Sequence, residues 1–323
     1  MARRITMIFF DDFDKEINLV LSDVNSFIGG LEKPISDLGI SFLEKFKVSL
    51  KGFNTFLLFP YWLSQGFDIK DKEDVSRKLA NLDVYGIMHL RIIDDIIDNP
   101  EKIDRNLILF SNISEYKMYE ICFKLIGANE KFLKDLEDTL AQFSNAVLYE
   151  KYNYNYKGEI TENMSNFDYQ LMAKKAFHLR IPILAYLYLE ESDEKKREDF
   201  LSMMEYWGTS MQLFNDVLGW KDDFITSQMT YPLVKVIQYL EKEELVDKGK
   251  SEIMDIAAGF IETDILEDTL DIALKYQQMA IDSIYSYNLY YLNEFLVDAS
   301  NKISSSIDKF KNKREDMLKE IFN

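Results

Sequence analysis

Leu90-Arg91-Ile92-Ile93-Asp94-Asp95-Ile96-Ile97-Asp98 is the stretch on which the reading of this chain turns. Aliphatic residues fill most of it and three carboxylates interrupt them. On a helix, residues four apart project from one face, because each residue turns the chain by about 100°. Asp94 and Asp98 therefore align one turn apart, and Asp95 is rotated off them. A carboxylate buried alone among aliphatic side chains is costly. Hard oxygen ligands point to Mg²⁺ as the compensating charge. A solvated acidic face would carry Lys or Glu among the acids, and the apolar Leu90, Ile92, Ile93, Ile96 and Ile97 stand there instead.

Working outward, the motif closes a helical pattern over residues 72–99 that Asn99-Pro100 terminates. Helical periodicity dominates the rest of the chain. It predicts helices near residues 8–30, 37–50, 104–126, 128–155, 165–190, 195–224, 230–242, 249–258, 263–295 and 300–321, with a very apolar segment over 53–67. Five prolines and twelve glycines in 323 residues leave long stretches without breakers, which favours helices over a many-turned β fold. Hydrophobic residues make up 47% and aromatics 14%, enough for a thick core or a deep aromatic-walled pocket. Without repeats, low-complexity tracts or Gly/Ser linkers, residues 1–323 read as a single all-α domain, a bundle of about ten helices whose sites are built from facing helices.

A net charge of −18 argues against a nucleic-acid partner, which would require a basic face. It leaves room for an anionic substrate, because bound Mg²⁺ inverts the local sign. Cys122 is the single cysteine, so neither an intrachain disulfide framework nor a multi-Cys metal site is available. No apolar run reaches the roughly 18 residues of a spanning helix, so no transmembrane segment is expected. The basic start Met1-Ala2-Arg3-Arg4 leads into a short apolar run ended by Asp11-Asp12, unlike a cleaved signal, and the expected location is cytoplasmic.

A second acidic cluster lies far along the chain, Asn215-Asp216-Val217-Leu218-Gly219-Trp220-Lys221-Asp222-Asp223. Asn215, Gly219 and Asp223 follow one another at four-residue intervals and read as a stripe of oxygen ligands, with water filling the gap at Gly219. The alternative makes Asp222 and Asp223 a solvated patch at a helix C-terminus. The two histidines, His89 and His178, have no Ser-His-Asp or Cys-His pattern around them, which removes acyl transfer.

Taken as a pair, the clusters resemble those of the class I isoprenoid synthase superfamily, the trans-polyprenyl diphosphate synthases and class I terpene cyclases. Its first motif, D-D-x-x-D, is matched by Asp94, Asp95 and Asp98. Its second, in the cyclase form N-D-x-x-S-x-x-x-E, is matched by Asn215 and Asp216 at the start and by Asp223 at the end, with Gly219 where the middle ligand falls. Lys174-Lys175-Ala176 resembles the K-T-A/G landmark. Gln228-Met229-Thr230-Tyr231-Pro232-Leu233 keeps Thr and Pro-Leu of K-x-T-x-P-L and lacks the Lys. The chain-elongating signature G-G-K-x-x-R-P has no counterpart over residues 50–58, where the Arg is absent and the segment turns aromatic.

The resemblance implies an all-α fold around a central apolar active-site cavity. It implies that Asp94, Asp95, Asp98, Asn215, Gly219 and Asp223 mark the site of Mg²⁺, three ions bound with a substrate diphosphate. Lys174, Lys175, Arg180 and Lys221 become candidate diphosphate contacts, Arg180 through its bidentate fork. Phe53, Phe56, Trp62, Tyr85, Phe177 and Trp207 become candidate cavity walls for a carbocation, which aromatic faces stabilise. Pro182 displaces the carbonyl of His178, as in the broken helix that cyclases of this superfamily turn toward the cation. With the second anion site lacking its cations, the leading expectation is a lyase: a terpene cyclase ionising a C15 to C25 prenyl diphosphate. The alternatives are a trans-prenyl diphosphate synthase or a non-catalytic subunit of one, and a homodimer is the implied assembly.

Overall fold

The computed structural model describes residues 12–49, 53–98, 101, 103–247 and 250–322. The described residues are helical throughout, and among them the only β-contact is an isolated antiparallel bridge between Asn155 and Gln228. In chain order the helices are α1 (Asp14–Gly29), α2 (Ile35–Ser49), α3 (Phe53–Ser64), α4 (Lys72–Asp98), α5 (Leu107–Ile126), α6 (Glu130–Asn153), α7 (Glu162–Ser165), α8 (Tyr169–Ala173), a 3₁₀ turn (Lys174–Leu179), α9 (Arg180–Glu190), α10 (Glu194–Ile225), α11 (Tyr231–Lys242), α12 (Ile253–Glu262), α13 (Ile265–Ile284) and α14 (Tyr290–Phe322). No helix is long and apolar enough to cross a membrane among the described residues.

The chain divides into two compact units. The first holds the described part of Met1–Thr139 together with His178–Arg197 and Tyr287–Leu292. Its axis is α4, packed chiefly on α5 and α3. Leu79, Leu82, Tyr85 and Met88 of α4 are buried, and these apolar positions explain why the helix persists over its full length. Gly39 lets α2 approach closely, since a Cβ there would lie 2.5 Å from the Phe110 ring. The second unit holds Leu140–Phe177, Glu198–Ser286 and Asn293–Asn323. Its core gathers Leu213 and Val217 of α10 with Leu233, Val236 and Ile237 of α11 and Leu270 of α13.

Three predicted helices are divided differently. The one expected over 165–190 is four pieces. Asp168 caps α8 by accepting a hydrogen bond from Leu171 N–H at 2.9 Å, and the backbone then tightens into the 3₁₀ turn before α9 begins at Arg180. Pro182 falls in the first turn of α9, where its missing N–H costs nothing. The helices expected over 263–295 and 300–321 meet earlier, at residues 285–289. Ser283, Tyr285, Ser286, Tyr287 and Asn288 are poor helix formers and accumulate there without a Pro or Gly to announce the break.

Candidate functional site

The first acidic cluster belongs to the first unit. Asp94 and Asp95 stand on the last turns of α4, both half-buried. Arg91 reaches along the same helix, its Nη2 3.0 Å from Asp95 Oδ1 and its Nη1 3.9 Å from Asp94 Oδ2. Asp98 ends the helix, and its side chain lies outside the described residues, as do those of Phe53 and Phe177. Beside Asp95 opens a cavity of about 690 Å³, lined by Phe42, Lys45 and Phe46 of α2, by Arg91 and by Asp104. The Phe42 and Phe46 rings stack at 5.6 Å and give the cavity an apolar wall.

The other candidates of this unit are dispersed. Trp62 and Tyr85 are buried, Tyr85 edge-on to Phe27 at 5.4 Å. Phe56 lies 6.0 Å from the His178 ring, and Arg180 is half-buried. His89 hydrogen-bonds the Ser111 hydroxyl through Nδ1 at 2.8 Å, and burial lowers its pKa, which keeps the imidazole neutral. Asp83 is fully buried with neither carboxyl oxygen hydrogen-bonded, and burial raises its pKa well above the usual carboxylate range.

The second cluster, in the second unit, is built differently. Asp216 and Asp223 are seven residues apart on α10, so they share a face to within about 20°. Asp216 is only 2% exposed. Its Oδ1 accepts a hydrogen bond from Gln212 Nε2 at 2.7 Å, and its buried Oδ2 has no hydrogen-bond partner. Burial pushes its pKa up to about 7 despite that hydrogen bond and the nearby Lys175 ammonium. Burial likewise raises Asp223 to about 6, with Lys175 opposing and Glu150 and Asp222 reinforcing the shift. Lys175 Nζ donates to Glu150 Oε1 at 2.5 Å, and the same oxygen accepts from Gln228 Nε2 at 2.6 Å.

Backbone pairing fixes this network. Met229 N–H donates to the Tyr154 carbonyl and Tyr156 N–H to the Ser227 carbonyl, both at 2.7 Å, so the segment after α10 is tied to the end of α6. Gln228 thereby stands beside Glu150. The Asp223 carboxylate lies beside Gly219, where a Cβ would meet its Oδ2 at an ordinary 3.4 Å. Asn215 is exposed, one position away from the buried Asp216. Lys174 and Lys175 diverge: Lys174 lines a separate cavity of about 260 Å³ with Asp168, Glu205, Tyr206 and Tyr276. Lys221 is exposed, and Trp207 is buried edge-on to Phe295 at 5.5 Å.

Three residues of this network, Asp216, Glu150 and Gln228, were not among the expected site residues. For Asp216 the signal was available, since seven residues bring a side chain closer to the starting face than eight do. For Glu150 none existed in its local sequence.

Among the described residues no three His, Cys, Asp or Glu side chains are grouped to hold a metal by themselves. Mg²⁺ does not require such a cage, because it is commonly held by one or two carboxylates completed by water and substrate phosphates. Asp216, with an unpartnered buried oxygen and carboxylate chemistry, suits that mode. Asp94 and Asp95, half-buried and in contact with a half-exposed Arg91, suit it as well.

No protein-family model and no curated protein sequence matches the chain. Solved structures do. A polyprenyl synthase from Caulobacter crescentus, complexed with calcium and isoprenyl diphosphate, superposes with a TM-score of 0.71 at 15% identity over 94% of this chain and 97% of that one. A geranylgeranyl pyrophosphate synthase from Lactobacillus brevis gives 0.71 at 14% identity over 91% and 98%. The geranylgeranyl pyrophosphate synthetase of Geoglobus acetivorans gives 0.68 at 15% identity over 89% and 99%. At such identities the likeness is one of fold. The structural neighbours are trans-polyprenyl diphosphate synthases, and the chain has the all-α fold of the class I isoprenoid synthase superfamily.

Proposed function

We propose that this protein is a Mg²⁺-dependent prenyltransferase that joins an allylic prenyl diphosphate to a second, five-carbon diphosphate, isopentenyl diphosphate. The observation that favours two substrates is the cavity of about 690 Å³ beside Asp95, where Lys45 and Arg91 supply cations in place of the Arg that residues 50–58 lack. Its stacked Phe42 and Phe46 suit a short apolar tail. The names carried by the similar structures, polyprenyl and geranylgeranyl synthases, support the same class of substrate.

In this reading Asp94, Asp95 and Asp98 are the metal ligands of the first unit, Asp216 and Asp223 are those of the second, and Lys175 donates to the oxygens of the allylic diphosphate. Bound Mg²⁺ would neutralise the diphosphate as it leaves. The allylic C–O bond breaks with its electron pair on the diphosphate, the alkene of the second substrate forms the new C–C bond, and the C–H proton given up to restore a double bond passes to the departing diphosphate. Lys45 and Arg91 orient the second diphosphate, Arg91 by exchanging its loose contact with Asp94 and Asp95 for phosphate oxygens.

Cyclisation is the second reading. The missing Arg of residues 50–58 and the Gly219 substitution in the second motif favour it. One experiment separates the two. The protein is incubated with Mg²⁺ and farnesyl or geranylgeranyl diphosphate, with and without isopentenyl diphosphate, and the products are analysed by gas chromatography after phosphatase treatment. Elongated diphosphates that form only with isopentenyl diphosphate support prenyl transfer. A hydrocarbon or alcohol formed from the allylic diphosphate alone establishes cyclisation instead.

A further inference from the structure

Lys175 is a cation of the second cluster, and it is bonded to Glu150. Its ammonium sits 2.5 Å from Glu150 Oε1, on a different helix from Asp216 and Asp223. Glu150 is 6% exposed and so carries a buried charge that needs a partner. Gln228 donates to the same oxygen at 2.6 Å and holds it from the other side. The Asn155–Gln228 bridge and its flanking backbone hydrogen bonds keep Gln228 there. Lys175 nevertheless lies near enough to Asp216 and Asp223 to act on both. Released from Glu150, a flexible ammonium would close on one of those carboxylates and occupy an oxygen that the metal requires.

We infer that Glu150 is a positioning residue that pins Lys175 away from Asp216 and Asp223 and keeps it available to a substrate diphosphate. This rests on the prenyl-diphosphate reading and adds to it a residue on α6 that neither acidic motif contains. An ammonium has three donors. Lys175 therefore keeps Glu150 while a second donor meets a phosphate oxygen, and Gln228, a neutral amide where the resembling pattern has Lys, secures Glu150 without competing for the anion.

The test measures binding, not turnover. Isothermal titration calorimetry of inorganic diphosphate in saturating Mg²⁺ is run on the unaltered protein, Glu150→Ala, Lys175→Met and the double variant, with circular dichroism as the check on folding. Glu150→Ala and Lys175→Met should each weaken diphosphate binding about tenfold, and the double variant should be no weaker than Lys175→Met alone. Glu150→Gln, which keeps an acceptor oxygen for Lys175 and Gln228, should recover most of the loss. Two independent, additive losses, or a Glu150→Ala protein that binds diphosphate as the parent does, would overturn the inference while leaving the functional reading standing. An unaltered protein that binds no diphosphate with Mg²⁺ would remove the functional reading, and this inference with it.

Discussion

The two acidic clusters contain the same chemical group in two different environments. Asp94 and Asp95 are half-buried near the end of a helix and share one half-exposed arginine, so each retains contact with water. Asp216 lies inside a 32-residue helix, 2% exposed, with one oxygen unpartnered. The first cluster costs the folded chain little. The second is unfavourable as a set of buried charges: Gln212 and Lys175 relieve it only in part, and Glu150 adds to the repulsion. The difference teaches that a carboxylate motif describes only which oxygens are present. How strongly they demand a cation is set by what packs around them.

That contrast is open to direct attack. The largest effect is expected at the shared function: Asp94→Ala should reduce Mg²⁺-dependent diphosphate release by on the order of 10²–10³-fold with helix content unchanged. Retained turnover would remove Asp94 from the metal site. Next comes a stability effect confined to the second cluster. The pKa of Asp216 is raised from 3.8 to about 7. Its favourable contribution is therefore complete below about pH 4 and is lost as the pH climbs toward 7. In metal-free buffer at pH 8, Asp216→Asn should stabilise the fold by at most about 4 kcal/mol, at 1.36 kcal/mol per pKa unit. Thermal melts should show that gain shrinking to nothing near pH 4, and a gain independent of pH would mean that desolvation of the charge is not its source.

Gly219→Ala should raise the melting temperature by the equivalent of about 1 kcal/mol, because alanine is the better helix former. The new Cβ meets Asp223 at an ordinary 3.4 Å, so a destabilised variant would show that the carboxylate cannot yield. The smallest effect belongs to the first cluster. Arg91→Ala should change stability by less than about 1 kcal/mol, as expected of a half-exposed ion pair, and a larger loss in a denaturant titration would show that the first cluster is as strained as the second.

Much of the architecture was legible in the chain. The end of α4 at Asp98 and the start of α11 at Tyr231-Pro232 follow from proline chemistry, and the long periodic stretches gave most of the remaining helices but not the division of residues 165–190. The break at residues 285–289 was not legible, because weak helix formers stop a helix only where packing fails to compensate. Asp94 and Asp95 stand out because acid among aliphatics is conspicuous. Asp216 was passed over for Asn215, although eight residues overshoot two helical turns by about 80° and seven fall short by about 20°.

By itself the sequence determined the all-α class and the set of carboxylates available to each helix face, because helical periodicity is a local property of the chain. Tertiary structure alone decided which of those carboxylates lose their water, and that Glu150 on α6 and Gln228 beyond α10 share the charge of Lys175. The physical reason is that desolvation and ion pairing depend on which distant segments arrive beside a residue, and nothing in a residue's immediate neighbours along the chain records that arrival.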